Sequence, residues 1–474
     1  MASSSLHIFF LPFLSPGHML PMVDMAKLFA ERGVKATLVT TPGNAARIRD
    51  SLDRANATGG HRIQLLQVDF PSSVAGFPDG CDNLTAVPSP GVTEDFFRAL
   101  AKLRQPFEKL VREHAPDCVI SDGFYPWTVD VAAEFGIPRL VFHGSGAFAL
   151  AALRASFRAC RLHQLVSDDA EAFVLHGLPD RIEMTRSQLP DLVVSPPDYL
   201  KDMGASNLKS YGVVVNSFQE LEPGYGDEVS GKKTWSIGPL SLCNRDAADR
   251  AVRGERASGE CTERCLRWLD TQAAASVLYV CFGSLCRFTR DQLREIALGL
   301  EFSGHPFLWV FRDIDGAEEA LPEGFEERNR GRGLVLRGWA PQLLILGHQA
   351  VGGFMTHCGW NSTLEAITSG VPMVAWPLFA EQFFNEKFVV QVLRVGVAVG
   401  ATVCSTEEEE RALVGKEMVE AAVARVMGGG EEAKAMRKRV RELAAMAKKA
   451  VEIGGSSHSS MGDLIQELVG LKKP

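Results

Sequence analysis

Short, continuously apolar runs alternate with longer amphipathic stretches along the chain, and the period of each stretch predicts its element. The runs His7–Phe13, Val34–Thr40, Ile63–Val68, Asp117–Ser121 and Arg139–Phe142 predict strands, while Met19–Arg32 and Asn44–Arg54 predict helices. Their β-branched content and brevity fit parallel strands covered on both faces. The rhythm breaks after Asn216, and Cys243–Glu260 is polar, charged and without apolar periodicity, which predicts a linker. A second series then starts with a strand at Ser276–Phe282 and a helix at Asp291–Phe302. It continues through strands near Phe307–Phe311, Gly333–Arg337, Gly352–Thr356 and Val371–Ala375. Two such series predict an α/β protein of two doubly wound parallel-sheet domains, residues 1–242 and 261–453, joined by 243–260. The remainder, 454–474, is expected to be a helix that packs back on the first domain. Gly428–Gly430 and Gly454–Gly455 punctuate a helical tail. Glu407–Glu410 is expected to be the acidic first turn of a helix capped by Ser405 or Thr406. Lys434, Arg437, Lys438, Arg439 and Arg441 are interleaved with Glu and read as a solvated helix face.

Composition narrows the function classes. The chain has 474 residues, 46% hydrophobic and 23% charged, with a net charge of −8, so it is globular and offers no basic stripe for nucleic acid. Its ten cysteines are scattered; Cys261 and Cys265 lie close together, but no second Cys or His pair follows at zinc-finger spacing. Free thiols in a reducing compartment are expected. The run Leu6–Leu11 lacks a basic leader and meets Pro16-Gly17 within a few residues, so a buried strand is expected, not a signal peptide. No apolar run approaches the ~20 residues that span a bilayer. The expectation is a cytoplasmic monomer without a membrane partner.

The stretch Gly352-Gly353-Phe354-Met355-Thr356-His357-Cys358-Gly359-Trp360-Asn361-Ser362-Thr363-Leu364-Glu365 reads as strand, tight turn, helix, with Asn361–Ser362 as N-cap types. Unsatisfied N–H groups and the positive dipole end at such a terminus suit a phosphate. His357 and Ser362 add side-chain donors, and Glu365, one turn on, can accept from vicinal hydroxyls. A capped helix with a buried histidine is the plain alternative. In the first half, His18 follows a strand in the turn Ser15-Pro16-Gly17-His18, and Asp122 ends the strand Val119-Ile120-Ser121. Both are expected at carboxyl ends of strands in one parallel sheet, where open α/β folds bind ligands. A histidine there can accept a proton, with a carboxylate fixing its tautomer; separately, each residue could simply cap a helix. Asp313-Ile314-Asp315 spells the D-x-D of metal-dependent glycosyl transfer, but it lies in a polar loop and reads as solvated. No Walker A lysine motif, H-E-x-x-H, G-x-S-x-G or G-x-G-x-x-G with a downstream acid is present.

From Trp339-Ala340-Pro341-Gln342 to Phe379-Ala380-Glu381-Gln382 the sequence closely resembles the signature box of plant UDP-dependent glycosyltransferases. The resemblance extends through Ser15-Pro16-Gly17-His18-Met19, Ser121-Asp122 and Cys281-Phe282-Gly283-Ser284. It implies the GT-B fold, two Rossmann-like domains around a cleft. It also implies that Trp339 stacks on uracil, with Ala340 and Gln342 holding the nucleoside and Glu365 the ribose. His357, Asn361, Ser362 and Ser284 match the diphosphate contacts, and Trp360, Glu381 and Gln382 the sugar contacts. Gln382 resembles the form of the box associated with glucose. His18 and Asp122 match the family's catalytic dyad, and His143 and Phe148 fall near its acceptor pocket; Phe124, by its apolar character alone, is either a lining residue of that cleft or plain core. The implied reaction is inverting, metal-independent transfer from UDP-glucose to a small hydroxylated acceptor, flavonoid, phenolic, terpenoid or steroid, with no cofactor. C-glycosylation of a phenol, hydrolysis of the donor and a catalytically silent UDP-sugar-binding protein are the alternatives.

Overall fold

The computed structural model describes the chain apart from residues 1–5, 59–61, 73–75, 78–79, 88–92, 160–167, 191–192, 194–197, 227–230, 254–258, 312–319 and 473–474. The first series runs β1 (His7–Leu11), α1 (Pro16–Glu31), β2 (Lys35–Thr40), α2 (Pro42–Thr58), β3 (Gln64–Gln67), α3 (Thr93–Lys102), α4 (Arg104–His114) and β4 (Cys118–Asp122). It continues with α5 (Thr128–Phe135), β5 (Arg139–Phe142), α6 (Ala147–Arg158), a hairpin of β6 (Ala172–Leu175) and β7 (Ile182–Thr185), α7 (Asp198–Lys209), β8 (Gly212–Val215) and β9 (Lys233–Ser236). The second comprises α8 (Gly259–Asp270), β10 (Val277–Cys281), α9 (Arg290–Phe302), β11 (Phe307–Phe311), β12 (Gly333–Arg337), β13 (Val351–Thr356), α10 (Trp360–Ser369) and β14 (Met373–Ala375). After these come α11 (Gln382–Lys387), β15 (Gly396–Ala398), α12 (Lys416–Met427), α13 (Glu431–Val451) and α14 (Ser456–Leu471).

Two compact units result. Met1–Ala147, Pro196–Glu255 and Lys449–Pro474 form one; Phe148–Ser195 and Arg256–Lys448 form the other. In the first unit seven strands lie in the order β3-β2-β1-β4-β5-β8-β9, every neighbouring pair parallel. The order reverses between β1 and β4, so the chain leaves these neighbours toward opposite sides of the sheet and a crevice opens at their carboxyl ends. In the second unit six parallel strands take the order β12-β11-β10-β13-β14-β15, with the same reversal between β10 and β13. The apolar runs end up fully covered, as with Ile8, Phe9, Phe10, Val119 and Ile120 in one sheet and Leu278, Val280, Phe354 and Met355 in the other.

Three sequence expectations meet a different structure. Phe148–Ser195 falls within 1–242 but packs in the second unit, where Glu183 on β7 exchanges hydrogen bonds with Gln391 and the Ser187 carbonyl accepts from Cys404 N. The described start of the expected linker is folded into the first unit: Arg253 pairs with buried Asp24 at 2.8 Å, and Asn244 bridges Asp24 and Lys27. Glu408–Glu410 forms a 3-10 turn in which Ser405 Oγ accepts from Glu407 N and donates to Glu410, and the next helix starts only at Lys416. At the C-terminus, α14 lays Met461, Leu464 and Leu468 into the first unit's core, and Lys472 pairs with Asp117 at 2.9 Å. Asp313-Ile314-Asp315 lies outside the described residues.

Candidate active site

The reversal in the first sheet places His18 and Asp122 together. β1 and β4 are in register at Leu11 and Ser121, so the turn after β1 and the last residue of β4 open on the same crevice. Pro16 occupies the first turn of α1, where its missing N–H removes no helical bond, and His18 follows in that turn. His18 Nδ1 donates to Asp122 Oδ2 at 2.7 Å; the carboxylate is essentially buried, whereas the imidazole retains 23% exposure. Phe124 N donates to the other Asp122 oxygen at 3.0 Å, so both oxygens are directed. This arrangement fixes the Nδ1–H tautomer and turns Nε2 away from Asp122, the orientation a general base requires.

Gly144 closes in from beside β5. Its φ of +71° suits glycine, and a Cβ there would come within 2.9 Å of His18 Nδ1. His143 packs on Gly123, whose added Cβ would sit 2.8 Å from its Nδ1, and burial lowers its pKa to about 4 despite Asp122. His143 is therefore a neutral neighbour of the dyad at neutral pH. Aromatic rings continue outward from His18. Phe13 and Phe124 meet it edge-on at 5.3 and 5.6 Å, Phe97 lies 5.4 Å from Phe124, and Tyr199 stacks on Phe97 at 4.5 Å. Phe97, Phe124 and Tyr199 are only partly buried. Sequence reasoning found Phe124 but missed Phe97 and Tyr199. They come from α3 and α7, and no local periodicity marks rings that meet only in the fold.

In the second unit, β10 and β13 are in register at Cys281 and Thr356, which brings the turns carrying Ser284 and His357 to one edge. His357 is wedged between glycines. A Cβ on Gly283 would fall 2.6 Å from its Cε1, and one on Gly359 would collide with Nε2. Desolvation lowers its pKa to about 4, leaving a neutral donor and acceptor. Cys358 takes the left-handed φ of +63°, and Asn385 Nδ2 donates to its carbonyl at 2.8 Å. Asn385 is a site residue that sequence reasoning missed, because its role is to hold a backbone turn distant in the chain. The cap of α10 also differs from expectation: Gly359 is the N-cap without a side-chain cap bond, and Asn361 and Ser362 sit inside the first turn. The first turn of this glycine-started helix leaves N–H groups without helical partners, the feature on which the sequence expectation of a phosphate site rests.

Glu365 lies one turn further on, 2% exposed, and accepts from Gln342 Nε2 at 2.7 Å; the same amide nitrogen donates to Ser362 Oγ at 3.1 Å. Tyr279 hydroxyl reaches Gln342 Oε1 at 3.4 Å from β10 beneath. The carboxylate is thus oriented before any ligand arrives. Trp339 follows β12, half-buried, with Nε1 enclosed and lacking a hydrogen-bond partner, beside buried Ala340. Gln382 spends its side-chain oxygen on the N–H groups of Leu378 (2.9 Å) and Phe379 (3.1 Å), so its amide nitrogen is the group left for a ligand; Glu381 is the N-cap of the same helix. Trp360 packs 6.3 Å from Phe388, on which Phe148 stacks at 4.7 Å. Phe148 is fully buried and has no surface to give an acceptor. Among the described residues, no group of three or more His, Cys, Asp or Glu could hold a metal ion.

A family model described as UDP-glucoronosyl and UDP-glucosyl transferase matches residues 260–423, which span the Ser284, Trp339 and His357–Glu365 constellation. Scopoletin glucosyltransferase of Nicotiana tabacum is 47% identical over 98% of both chains. The chain belongs to the plant family 1 UDP-glycosyltransferases. UDP-glycosyltransferase 73C10 of Barbarea vulgaris, 47% identical, covers 100% of the chain and is itself covered to 98%. Among solved UDP-glycosyltransferases, Glycyrrhiza uralensis UGT73P12 complexed with glycyrrhetinic acid 3-O-monoglucuronide is 42% identical, with a TM-score of 0.93 over 99% of this chain and 96% of that one. Phytolacca americana UGT2, complexed with UDP-2fluoro-glucose and pterostilbene, is 29% identical with a TM-score of 0.75 over 98% and 100%. The two Rossmann-like sheets are accordingly those of a GT-B glycosyltransferase, an enzyme that transfers a sugar from a UDP-sugar to a small acceptor.

Proposed function

We propose that this UDP-glycosyltransferase forms β-O-glucosides of planar phenolic acceptors, with His18 as general base. The observation that carries the reading is the 2.7 Å His18–Asp122 bond set beside the partly exposed rings of Phe124, Phe97 and Tyr199. His18 Nε2 takes the proton of the acceptor hydroxyl, and Asp122 stabilises the imidazolium. The acceptor oxygen attacks the anomeric carbon from the face opposite UDP, the bond from that carbon to the β-phosphate oxygen breaks, and the configuration inverts. Proton removal of this kind contributes ~10²–10⁴ in rate.

The donor is assigned to the second unit. Trp339 stacks on the uracil beside the Ala340 backbone and Gln342, and Glu365 accepts from the ribose hydroxyls. His357, Ser284, Asn361, Ser362 and the N-terminus of α10 receive the diphosphate charge, a task that needs no divalent ion. Trp360, Glu381 and Gln382 hold the sugar. Glucose as donor is supported by the Gln382 amide nitrogen and by the glucosyltransferase relative. A flat aromatic acceptor matches this cluster of partly exposed rings, since offset aromatic contacts each contribute roughly 0.5–1.5 kcal/mol. A triterpenoid alcohol is the second reading, favoured by the likeness to UGT73P12.

UDP release from UDP-glucose, measured with coumarins, flavonols, simple phenols and triterpenoids, with and without EDTA, tests this assignment. The expected result is release that depends on a phenolic acceptor and ignores EDTA, giving an acid-labile β-glucoside. Release confined to triterpenoids would select the second reading. An acid-stable product would replace O-transfer by C-transfer, and EDTA sensitivity would contradict the metal-free diphosphate site.

A further inference from the structure

Arg139, the first residue of β5, lies directly beneath the dyad and is buried to 2% exposure. Its Nε donates to Ser121 Oγ at 2.9 Å, its Nη1 to Ser210 Oγ at 2.5 Å and its Nη2 to the Asp122 carbonyl at 3.2 Å. Those acceptors are themselves satisfied. Ser121 Oγ meets Thr128 Oγ1 at 2.7 Å, Thr128 donates to the Tyr125 carbonyl, and Ser210 donates to the Ser206 carbonyl. Among the described residues, no carboxylate is hydrogen-bonded to the guanidinium. A buried cation bonded only to hydroxyls and a carbonyl is costly, and fold stability alone would be served as well by an apolar side chain of similar size. The carboxylate that counters its charge is that of Asp122, the residue whose carbonyl it grips; burial lowers the guanidinium pKa to about 9, so it remains cationic at neutral pH.

We propose that Arg139 is a positioning residue for the His18–Asp122 pair, clamping the end of β4 and acting electrostatically through Asp122 on His18. This rests on the base role assigned to His18. The clamp joins three elements: Ser121 and Asp122 on β4, Arg139 on β5, and Ser210 just after α7. Holding the Asp122 backbone sets where its Oδ2 meets His18, because the carboxylate is only one rotamer removed from the gripped carbonyl. Among the described residues, the ionisable groups around the pair are His143, neutral through burial, Tyr125, whose hydroxyl donates to the Pro12 carbonyl, and Arg139 itself. The neighbouring part of α7 brings Met203 and Ser206, and the residue after it Ser210, none of which ionises at neutral pH. Arg139 is therefore the one fixed positive charge among these groups. Its removal leaves the imidazolium of His18 facing Asp122 without an opposing cation, which favours protonation of the base.

The test compares wild type, Arg139→Gln and Arg139→Lys by pH profile of kcat/KM, by KM for UDP-glucose, and by NMR titration of the His18 ring, with His18→Ala identifying the signal. Arg139→Gln is expected to move the acid limb upward by about one pH unit and to lower kcat at least tenfold near neutral pH, with KM for UDP-glucose within twofold. Arg139→Lys, which keeps the charge but not the three-way grip, should hold the limb in place and lose several-fold in kcat alone. A purely structural role would lower thermal stability without moving the limb. An unmoved limb in folded Arg139→Gln overturns the proposal, as does a displaced limb or a wild-type kcat in Arg139→Lys, which decides the matter if the Gln variant does not fold. Wild-type activity in His18→Ala would refute the base assignment instead, while the His18 titration would still read the influence of Arg139.

Discussion

His357 shows how tightly single residues are constrained at the donor edge. Its ring fills the space that side chains at positions 283 and 359 would need, and Gly283 also sits at a φ of +77°. Gly283→Ala adds both a 2.6 Å contact and left-handed strain, a combination of order 1–3 kcal/mol. UDP affinity measured by calorimetry is expected to weaken at least tenfold; unchanged affinity would separate His357 from the diphosphate. Glu365→Gln removes the charge that Gln342 orients at 2.7 Å. Hydrogen bonds to charged groups are worth about 1.5–3 kcal/mol, so Kd for UDP should rise by roughly 10- to 100-fold, while a nucleotide without ribose hydroxyls should bind both forms alike. Most residues proposed for the donor could be named from the sequence because they lie in one contiguous box. Asn385, Tyr279 and Arg139 could not, since each acts on a side chain or carbonyl that only the fold brings near.

Elements were legible where their period was strong. The predicted strands fall within a few residues of their apolar runs, while β8, β9 and β15 were not predicted; α1 begins at Pro16 ahead of the predicted Met19 because a proline is pre-organised for a first helical turn. The segment after Cys243 misled for a physical reason. A polar stretch reads the same whether its groups meet water or buried partners, and Arg253 meets buried Asp24 while Asn244 meets Asp24 and Lys27. The hairpin β6–β7 offered too little pattern in four-residue strands to reveal which unit it joins. At this scale α14 is the informative target. Leu464 is fully buried in the first unit's core, so Leu464→Ala is expected to cost about 2–5 kcal/mol. Denaturant unfolding reads that loss, and a change under 1 kcal/mol would show that α14 is dispensable to the unit.

At the scale of the molecule, burial holds described histidines neutral: His7, His143 and His357 each have a pKa lowered to about 4, burial being the largest cause in each. Unfolding returns them toward about 6.5, so below that value the unfolded chain binds protons the folded chain refuses. Their contribution to stability is complete above pH 6.5 and is lost as the pH falls from 6.5 through 4. Melting temperature should therefore decline across that window, and a flat profile would contradict the neutral assignment. In the proposed mechanism each sheet contributes its own chemistry at its own reversal point: the first unit the His18–Asp122 pair, and the second the residues assigned to the donor. This division of labour is the central claim, and His18→Ala tests it most directly when kcat and UDP affinity are measured on the same preparation. The account predicts that acceptor-dependent UDP release falls by at least two orders of magnitude while Kd for UDP stays within twofold. Activity retained without His18, or UDP affinity lost together with activity, would contradict it.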